Sequence, residues 1–239
     1  MMRLAVFADV HSNIHALKAV LEDIASKEVD EIICAGDLVG YGAFPNEVIE
    51  EIKNSNIKTV MGNYDDGIGF QRLICGCDYK DAKSQDLGEK SILWTKKNTS
   101  GDNKEFLRSL PHELYLNISG RKIKIVHGSP RRLNEYLFED FPEGELEKIF
   151  SEHPCDILIC GHTHLPYKRN VNNKIIINVG SVGKPKNGSP DAMYALIEID
   201  NEVKCEFISV KYDYESAARA IEESELPDEF AEIIRTGKS

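Results

Sequence analysis

Asp156-Ile157-Leu158-Ile159-Cys160-Gly161-His162-Thr163-His164 joins a short apolar run to two imidazoles one residue apart. The run reads as a strand buried on both faces, because it shows no polar alternation over its length. Gly161 breaks it, and the histidines stand where the strand would end. Histidine is the commonest metal-ligating side chain, and its neutral ring suits transition metals. Two such rings on one turn can aim at one point or at two close points. What surrounds them decides whether this is a site or a surface loop.

The same grammar recurs along the chain. Arg3-Leu4-Ala5-Val6-Phe7-Ala8 is a predicted strand, followed by Asp9-Val10-His11-Ser12-Asn13. A helix is expected over 14–26, from the spacing of Ile14, Leu17, Val20, Leu21 and Ile24, with Ser12 or Asn13 as its N-cap. Glu31-Ile32-Ile33-Cys34-Ala35 is a second strand, stopped by Gly36-Asp37, and a helix is expected from Asn46 to about Lys53. Lys58-Thr59-Val60-Met61 is a third, closed by Gly62-Asn63-Tyr64-Asp65. This strand-turn-helix alternation predicts a parallel sheet covered on both sides. Residues 66–110 are polar and weakly helical, best over 87–97, and read as a helical cap inserted into one domain spanning 1–239. Two alternating stretches, 113–118 and 122–126, follow as antiparallel strands, and His127 ends the second. Residues 131–153 read as a loop and short helix. Further strands are expected at 174–179, 193–199 and 203–210, then a charged amphipathic tail broken near Pro227.

Composition narrows the class. The chain has 239 residues, of which 41% are hydrophobic, enough for a substantial core. It has no run of about 18 apolar residues, so no membrane span is expected. The apolar start is interrupted by Asp9 and His11, which argues against a signal peptide and for a cytoplasmic protein. The net charge of −11 argues against general nucleic-acid binding, which needs Lys and Arg to neutralise phosphates. It leaves room for a small phosphate ester held by local cations. Cys34 and Cys160 sit in apolar runs and read as small buried hydrophobes. Cys75 and Cys77 lack the spacing and second pair of a zinc ribbon.

The informative fact is positional. Five apolar runs each end in a potential metal ligand: Asp9 and His11, Asp37, Asn63, His127, then His162 and His164. In α/β sheets, sites gather at the carboxyl ends of strands, so these side chains converge on one cleft. A mix of Asp, His and Asn suits Mn, Fe, Zn, Ni or Co, whereas a soft site would show Cys and a magnesium site mostly carboxylates. Two divalent ions about 3.5–4 Å apart clamp a phosphoryl centre.

The ordered motifs D-x-H, G-D, G-N, H-G and G-H-T-H, from residue 3 to about 200, resemble the calcineurin-like metallophosphoesterase superfamily. The Asp9–Asn13 opening and Asn178-Val179-Gly180-Ser181-Val182-Gly183 resemble its bacterial and archaeal phosphodiesterase branch. The resemblance implies an α/β fold, a four-layer αββα sandwich of two mixed β-sheets flanked by helices. It implies that Asp9, His11 and His164 hold a first metal, that Asp37 bridges, and that Asn63, His127 and His162 hold a second. Two divalent transition metal ions, Mn favoured, would share a hydroxide that attacks phosphorus in line. The implied activity is hydrolysis of phosphodiesters or nucleotide-type phosphate esters, with dinucleoside polyphosphates or phosphoproteins as alternatives. A protein-binding scaffold, as in the retromer subunit that resembles this family, is disfavoured because all seven positions are kept.

One position departs from the family. Many members carry His after the G-N pair as a general acid, and this chain has Tyr64. A phenol of pKa ~10 is a weaker acid than imidazolium, which disfavours phosphatase chemistry and fits diesters better. Tyr64, Asn13 and Tyr41 are candidate substrate contacts, with Lys184 and Lys186 on the Gly180–Gly188 loop as further ones. Asn13 could also support the metal shell through an outer hydrogen bond. His15, His112 and His153 read as helix-face or element-edge residues rather than ligands.

Overall fold

A computed structural model describes residues 1–72 and 81–238; Cys75 and Cys77 lie outside the described residues. Strand β1 (Met2–Phe7) leads to helix α1 (Ile14–Ala25), β2 (Glu31–Cys34), α2 (Pro45–Asn54), β3 (Lys58–Thr59) and α3 (Asn63–Gly69). Helices α4 (Ala82–Asn98) and α5 (Gly101–Ser109) precede the hairpin β4 (Glu113–Ile118) and β5 (Arg121–Val126). Then come α6 (Glu143–Glu152), β6 (Ile157–Cys160), β7 (Tyr167–Val171), β8 (Lys174–Asn178), the hairpin β9 (Ala192–Ile199) and β10 (Val203–Val210), α7 (Tyr214–Glu222) and α8 (Glu229–Thr236).

The strands form two five-stranded sheets, ordered β10-β9-β1-β2-β3 and β4-β5-β6-β8-β7. The expectation of a parallel sheet holds for β1, β2 and β3, which pair in parallel. The sheet as a whole is mixed, because β9 returns antiparallel on the other side of β1. The second sheet is mixed too: β5, β6 and β8 run parallel, with antiparallel β4 and β7 at the edges.

Alternation along the buried strands assigns the layers. In β1 and just past it, Leu4, Val6 and Ala8 point into a cluster shared with Ile123, Ile125, Ile157, Ile159 and Ile177 of the other sheet. Ala5 and Phe7 point the opposite way, onto Leu17, Val20 and Ile24 of α1 and Val48 and Ile49 of α2. In β6, Ile157 and Ile159 face the first sheet, while Leu158 and Cys160 face Leu146, Ile149 and Phe150 of α6. Both faces of the central strands are therefore covered, which is why they read as unbroken apolar runs. The result is the αββα sandwich.

The sequence reading missed β7. Its residues Tyr167-Lys168-Arg169-Asn170-Val171 are charged in the middle, and it pairs only with β8. Edge strands commonly carry charge, which discourages pairing with other chains and hides them from a search for apolar runs. The stretch 66–110 contributes α4 and α5, whose Ile92 and Leu107 pack into the cluster beneath α1 and α2. Leu87 and Trp94 of α4 reach the cluster of α7 and α8. Among the described residues no helix is long and apolar enough to cross a membrane.

Burial predicts where the fold is sensitive. Ile159 is fully buried between the sheets, so Ile159→Ala should cost about 2–5 kcal/mol of unfolding free energy. Leu93 is 67% exposed on α4, and Leu93→Ala should stay within about 0.5 kcal/mol of wild type. Urea titration followed by far-UV circular dichroism measures both; equal losses would contradict this packing.

Candidate metal centre

The site is made where four loops leave the carboxyl ends of β1, β2, β5 and β6, joined by the start of α3. The loops after β1 and β2 are laddered together. Asp9 N–H donates to Gly36 (2.9 Å), His11 N–H to Asp37 (3.1 Å) and Ser12 N–H to Leu38 (2.8 Å). The two sheets are tied where His162 N–H donates to Asp9 Oδ2 (2.9 Å). Asn178 Nδ2 holds the Gly161 carbonyl (2.6 Å), which fixes the turn carrying the histidine pair.

These turns are sharp. Asp9, His11, Asp37, His162 and His164 all have positive φ, between 48° and 68°. Non-glycine residues seldom adopt that region, and such strain clusters at functional sites where surrounding structure over-determines it. Gly62 allows a close approach: a Cβ there would stand 2.1 Å from Asp37 Oδ1.

Two buried groups result. Asp9, His11 and His164 form one, and Asp37, His127 and His162 the other, with candidate ligand atoms in each within 4.8 Å of one another. Asp37 Oδ2 faces both: it lies 3.3 Å from His127 Nε2 and 3.8 Å from His11 Nε2. Asn63 Oδ1 is 3.0 Å from His127 Nε2.

The tautomers follow from the outer ring nitrogens. His11 Nδ1 lies 3.1 Å from the Val39 carbonyl, and His127 Nδ1 2.9 Å from that of Ala35. His164 Nδ1 meets the Lys184 carbonyl. A carbonyl only accepts, so each Nδ1 carries a proton and each Nε2 turns inward; in the neutral rings of His11 and His164 that nitrogen offers a lone pair. Ring nitrogens then face each other: His11 Nε2 and His164 Nε2 at 3.2 Å, His127 Nε2 and His162 Nδ1 at 3.1 Å. Among the described residues Asp9 Oδ1, buried beside the first pair, has no hydrogen-bond partner. Ring nitrogens and carboxylate oxygens converging in this way fit a cation, so the donor set suits a metal ion in each group.

Electrostatics agree. Burial holds His11 and His162 down to about 3 and His164 well below its usual value, so these rings are neutral. Burial also pulls on His127, but the Asp37 carboxylate outweighs it and pushes the ring up to about 9. Burial would raise Asp37, yet His127 beside it, with His11 and His162, holds it at about 2. Burial pushes Asp9 up to about 7. The Asp37 carboxylate thus favours positive charge beside it, as a metal cation would supply.

The other sequence candidates are placed as follows. The Tyr64 ring is 1% exposed, packed on Gly40 and set edge-on to His11 at 5.5 Å. Tyr64 N–H donates to Asp37 Oδ1 at 2.8 Å. Tyr41 packs edge-on against His11 at 4.9 Å, with Lys184 Nζ 4.5 Å from its ring centre. Asn13 caps α1 through Ala16 N–H (3.1 Å), and its Nδ2 donates to the Gly183 carbonyl and to Tyr212. His15 packs on Phe44 away from both groups, and His112 is exposed.

Sequence reasoning overlooked Asp65. Its carboxylate accepts from Asp37 N–H, Leu38 N–H and Gly62 N–H, each at 2.9 Å, and so pins the β2 loop to the α3 start. Burial and then the Asp37 charge push Asp65 up to about 7 against those donors. Its signal was present as the last letter of Gly62-Asn63-Tyr64-Asp65. The carbonyls of Ala35, Val39 and Lys184, which orient the histidines, leave no mark in a sequence.

The family model for the calcineurin-like phosphoesterase superfamily domain matches residues 2–202. The chain belongs to this superfamily. Uncharacterized protein MJ0912 of Methanocaldococcus jannaschii is 35% identical to this phosphoesterase-family chain over 252 residues, covering 98% of each. A metallophosphoesterase structure from Sphaerobacter thermophilus superposes with a TM-score of 0.78 at 28% identity, covering 99% of both chains. Phosphodiesterase YfcE of Escherichia coli is 23% identical over 210 residues, covering 84% of this chain and 89% of its own.

Outer partners of metal ligands typically matter by about 10–100-fold. Asp65→Asn replaces a triple acceptor with a group that turns an NH₂ toward backbone donors, so Mn²⁺ affinity should fall by about that factor. Titration calorimetry on folded protein checks this; unchanged affinity would remove Asp65 from the site's support.

Proposed function

We propose that this chain is a metal-dependent phosphohydrolase that cleaves phosphodiesters, acting on small phosphate esters with two divalent transition metal ions. Asp9, His11 and His164 would hold one ion and Asn63, His127 and His162 the other, with Asp37 as the ligand they would share. Mn²⁺ is the favoured metal, with Fe, Zn, Ni and Co also suited to the donors. The observation that carries the reading is the position of Asp37 Oδ2, which faces an imidazole nitrogen of each group. When bound, such a pair of ions supplies an activated water and neutralises phosphoryl oxygens.

The chain's own residues do the rest. The carbonyls of Val39, Ala35 and Lys184 keep the rings of His11, His127 and His164 in the tautomer that offers Nε2. The Lys184 ammonium lowers His11 and His164 and that of Lys186 lowers His162 and His164, a positive field that favours a phosphate. Tyr64 is almost wholly buried and orients Asp37 through its backbone N–H; its phenol is a poor proton donor to a leaving group. That favours esters whose leaving group needs little protonation, which is the argument for diesters. A relative named phosphodiesterase supports the same choice. Substrate choice is assigned to the segments 66–110 and 131–150.

With Mn²⁺ added, hydrolysis of bis(p-nitrophenyl) phosphate should exceed that of p-nitrophenyl phosphate; preference for the monoester would overturn the diesterase reading. His162→Ala and His164→Ala should empty different sites, seen as unequal loss of two bound ions by elemental analysis. Loss of the same single ion from both variants would contradict the assignment.

A further inference from the structure

The helices α7 and α8, beyond residue 202 where the family match ends, pack back toward the metal centre. They enclose a small apolar cluster that includes Ala218, Ile221, Leu226, Phe230 and Ile234. Phe230 is 3% exposed, and its ring meets that of Tyr41 edge-on at 5.2 Å. Tyr41 in turn lies edge-on to His11 at 4.9 Å, and the Lys184 ammonium stands 4.5 Å from its ring centre. Lys184 also supplies the carbonyl that meets His164 Nδ1. One tyrosine therefore touches a ligand ring of the first group, Asp9, His11 and His164, and the residue that orients the other ring. Two further bonds tie the tail to the same loops. Asn13 Nδ2 donates to the Tyr212 hydroxyl (3.0 Å), and Gly188 N–H donates to the Gly237 carbonyl (2.9 Å).

Tyr41 is held for this place. Its φ is +61°, a region that a non-glycine residue keeps only where its surroundings impose it. Its N–H donates to Ser91 Oγ of α4 (2.9 Å), a fully buried side chain, and the next N–H, that of Gly42, donates to the His11 carbonyl (3.1 Å). Those bonds fix the backbone; the ring is fixed by what packs on it. The His11 ring needs that packing. Its one outer bond, from Nδ1 to the Val39 carbonyl, leaves the ring free to turn about the bond, and the Tyr41 edge removes that freedom. Tyr41 also tilts on Tyr64 at 4.7 Å, but Tyr64 holds Asp37 through its backbone N–H rather than its ring.

We propose that Phe230 is a positioning residue for the first metal group. By backing Tyr41 it holds the His11 ring and the Lys184 segment in place, so that His11 and His164 aim at one point. The C-terminal helix pair thereby sets the affinity of this group for a divalent cation, and not that of Asp37, His127 and His162. This rests on the metal-centre reading above. Truncating Phe230 opens space behind Tyr41, into which the tyrosine ring can move away from His11. A ligand ring loosened in this way weakens a site that keeps every ligand.

The test is equilibrium binding of Mn²⁺, which does not depend on turnover. Calorimetric titration is done in two full-length backgrounds: His162→Ala, which keeps the first group intact, and His164→Ala, which keeps the second. In His162→Ala, adding Phe230→Ala should weaken Mn²⁺ by about tenfold, the lower end of what outer partners of metal ligands contribute. In His164→Ala the same change should leave the affinity as it was. Phe230→Leu, which refills the space behind Tyr41, should restore first-group binding. Ile221→Ala removes bulk from the same apolar cluster; it should lower the thermal unfolding midpoint without weakening Mn²⁺ in either background. Unchanged first-group affinity in Phe230→Ala would overturn the proposal. So would an equal loss in both backgrounds, or an equal first-group loss in Ile221→Ala, since each marks a general loosening of the fold. If neither background binds Mn²⁺, the metal-centre reading falls and the proposal with it, an outcome distinct from the other three.

Discussion

The constraint that organises this molecule is a buried carboxylate between two sets of imidazole nitrogens. Asp37 sits 3.3 Å from a nitrogen of one set and 3.8 Å from a nitrogen of the other, almost without solvent. Acceptors brought together in low dielectric repel each other and cost free energy unless positive charge joins them. The fold must therefore hold these groups against their own electrostatics. It does so by setting them on turns rather than on flexible side-chain tethers, and by spending the outer nitrogen of each of three rings on a backbone carbonyl.

Rigidity for those turns comes from the layers beneath. Central strands apolar on both faces weld the two sheets to each other and to the outer helices. Their carboxyl ends are then fixed relative to one another, and short loops have little freedom left. Positive φ at five of the candidate ligands is the local strain that this frame sustains. Asp65 links the frame to the chemistry, since one carboxylate fixes the backbone of Asp37, Leu38 and Gly62.

Much of this was legible in the residues, for a physical reason. Strands buried on both faces lose their polar alternation and stand out, and a ligand at the end of each is a second, independent signal. That conjunction singles out Asp9, His11, Asp37, Asn63, His127, His162 and His164 as candidates, and the structure gathers them at one place. What stayed hidden lacked one signal or the other. The charged edge strand at 167–171 has no apolar run. The direction of β9 beside β1 is a tertiary choice that local pattern does not encode. The orienting carbonyls have no side-chain identity at all.

The central claim is that Asp37 joins two metal sites into one unit. Electron paramagnetic resonance of the protein at full Mn²⁺ occupancy addresses it directly. A carboxylate bridge predicts an exchange-coupled pair, with closely spaced hyperfine lines in place of the simple pattern of an isolated ion. A spectrum of two uncoupled Mn²⁺ ions at full loading would contradict the account.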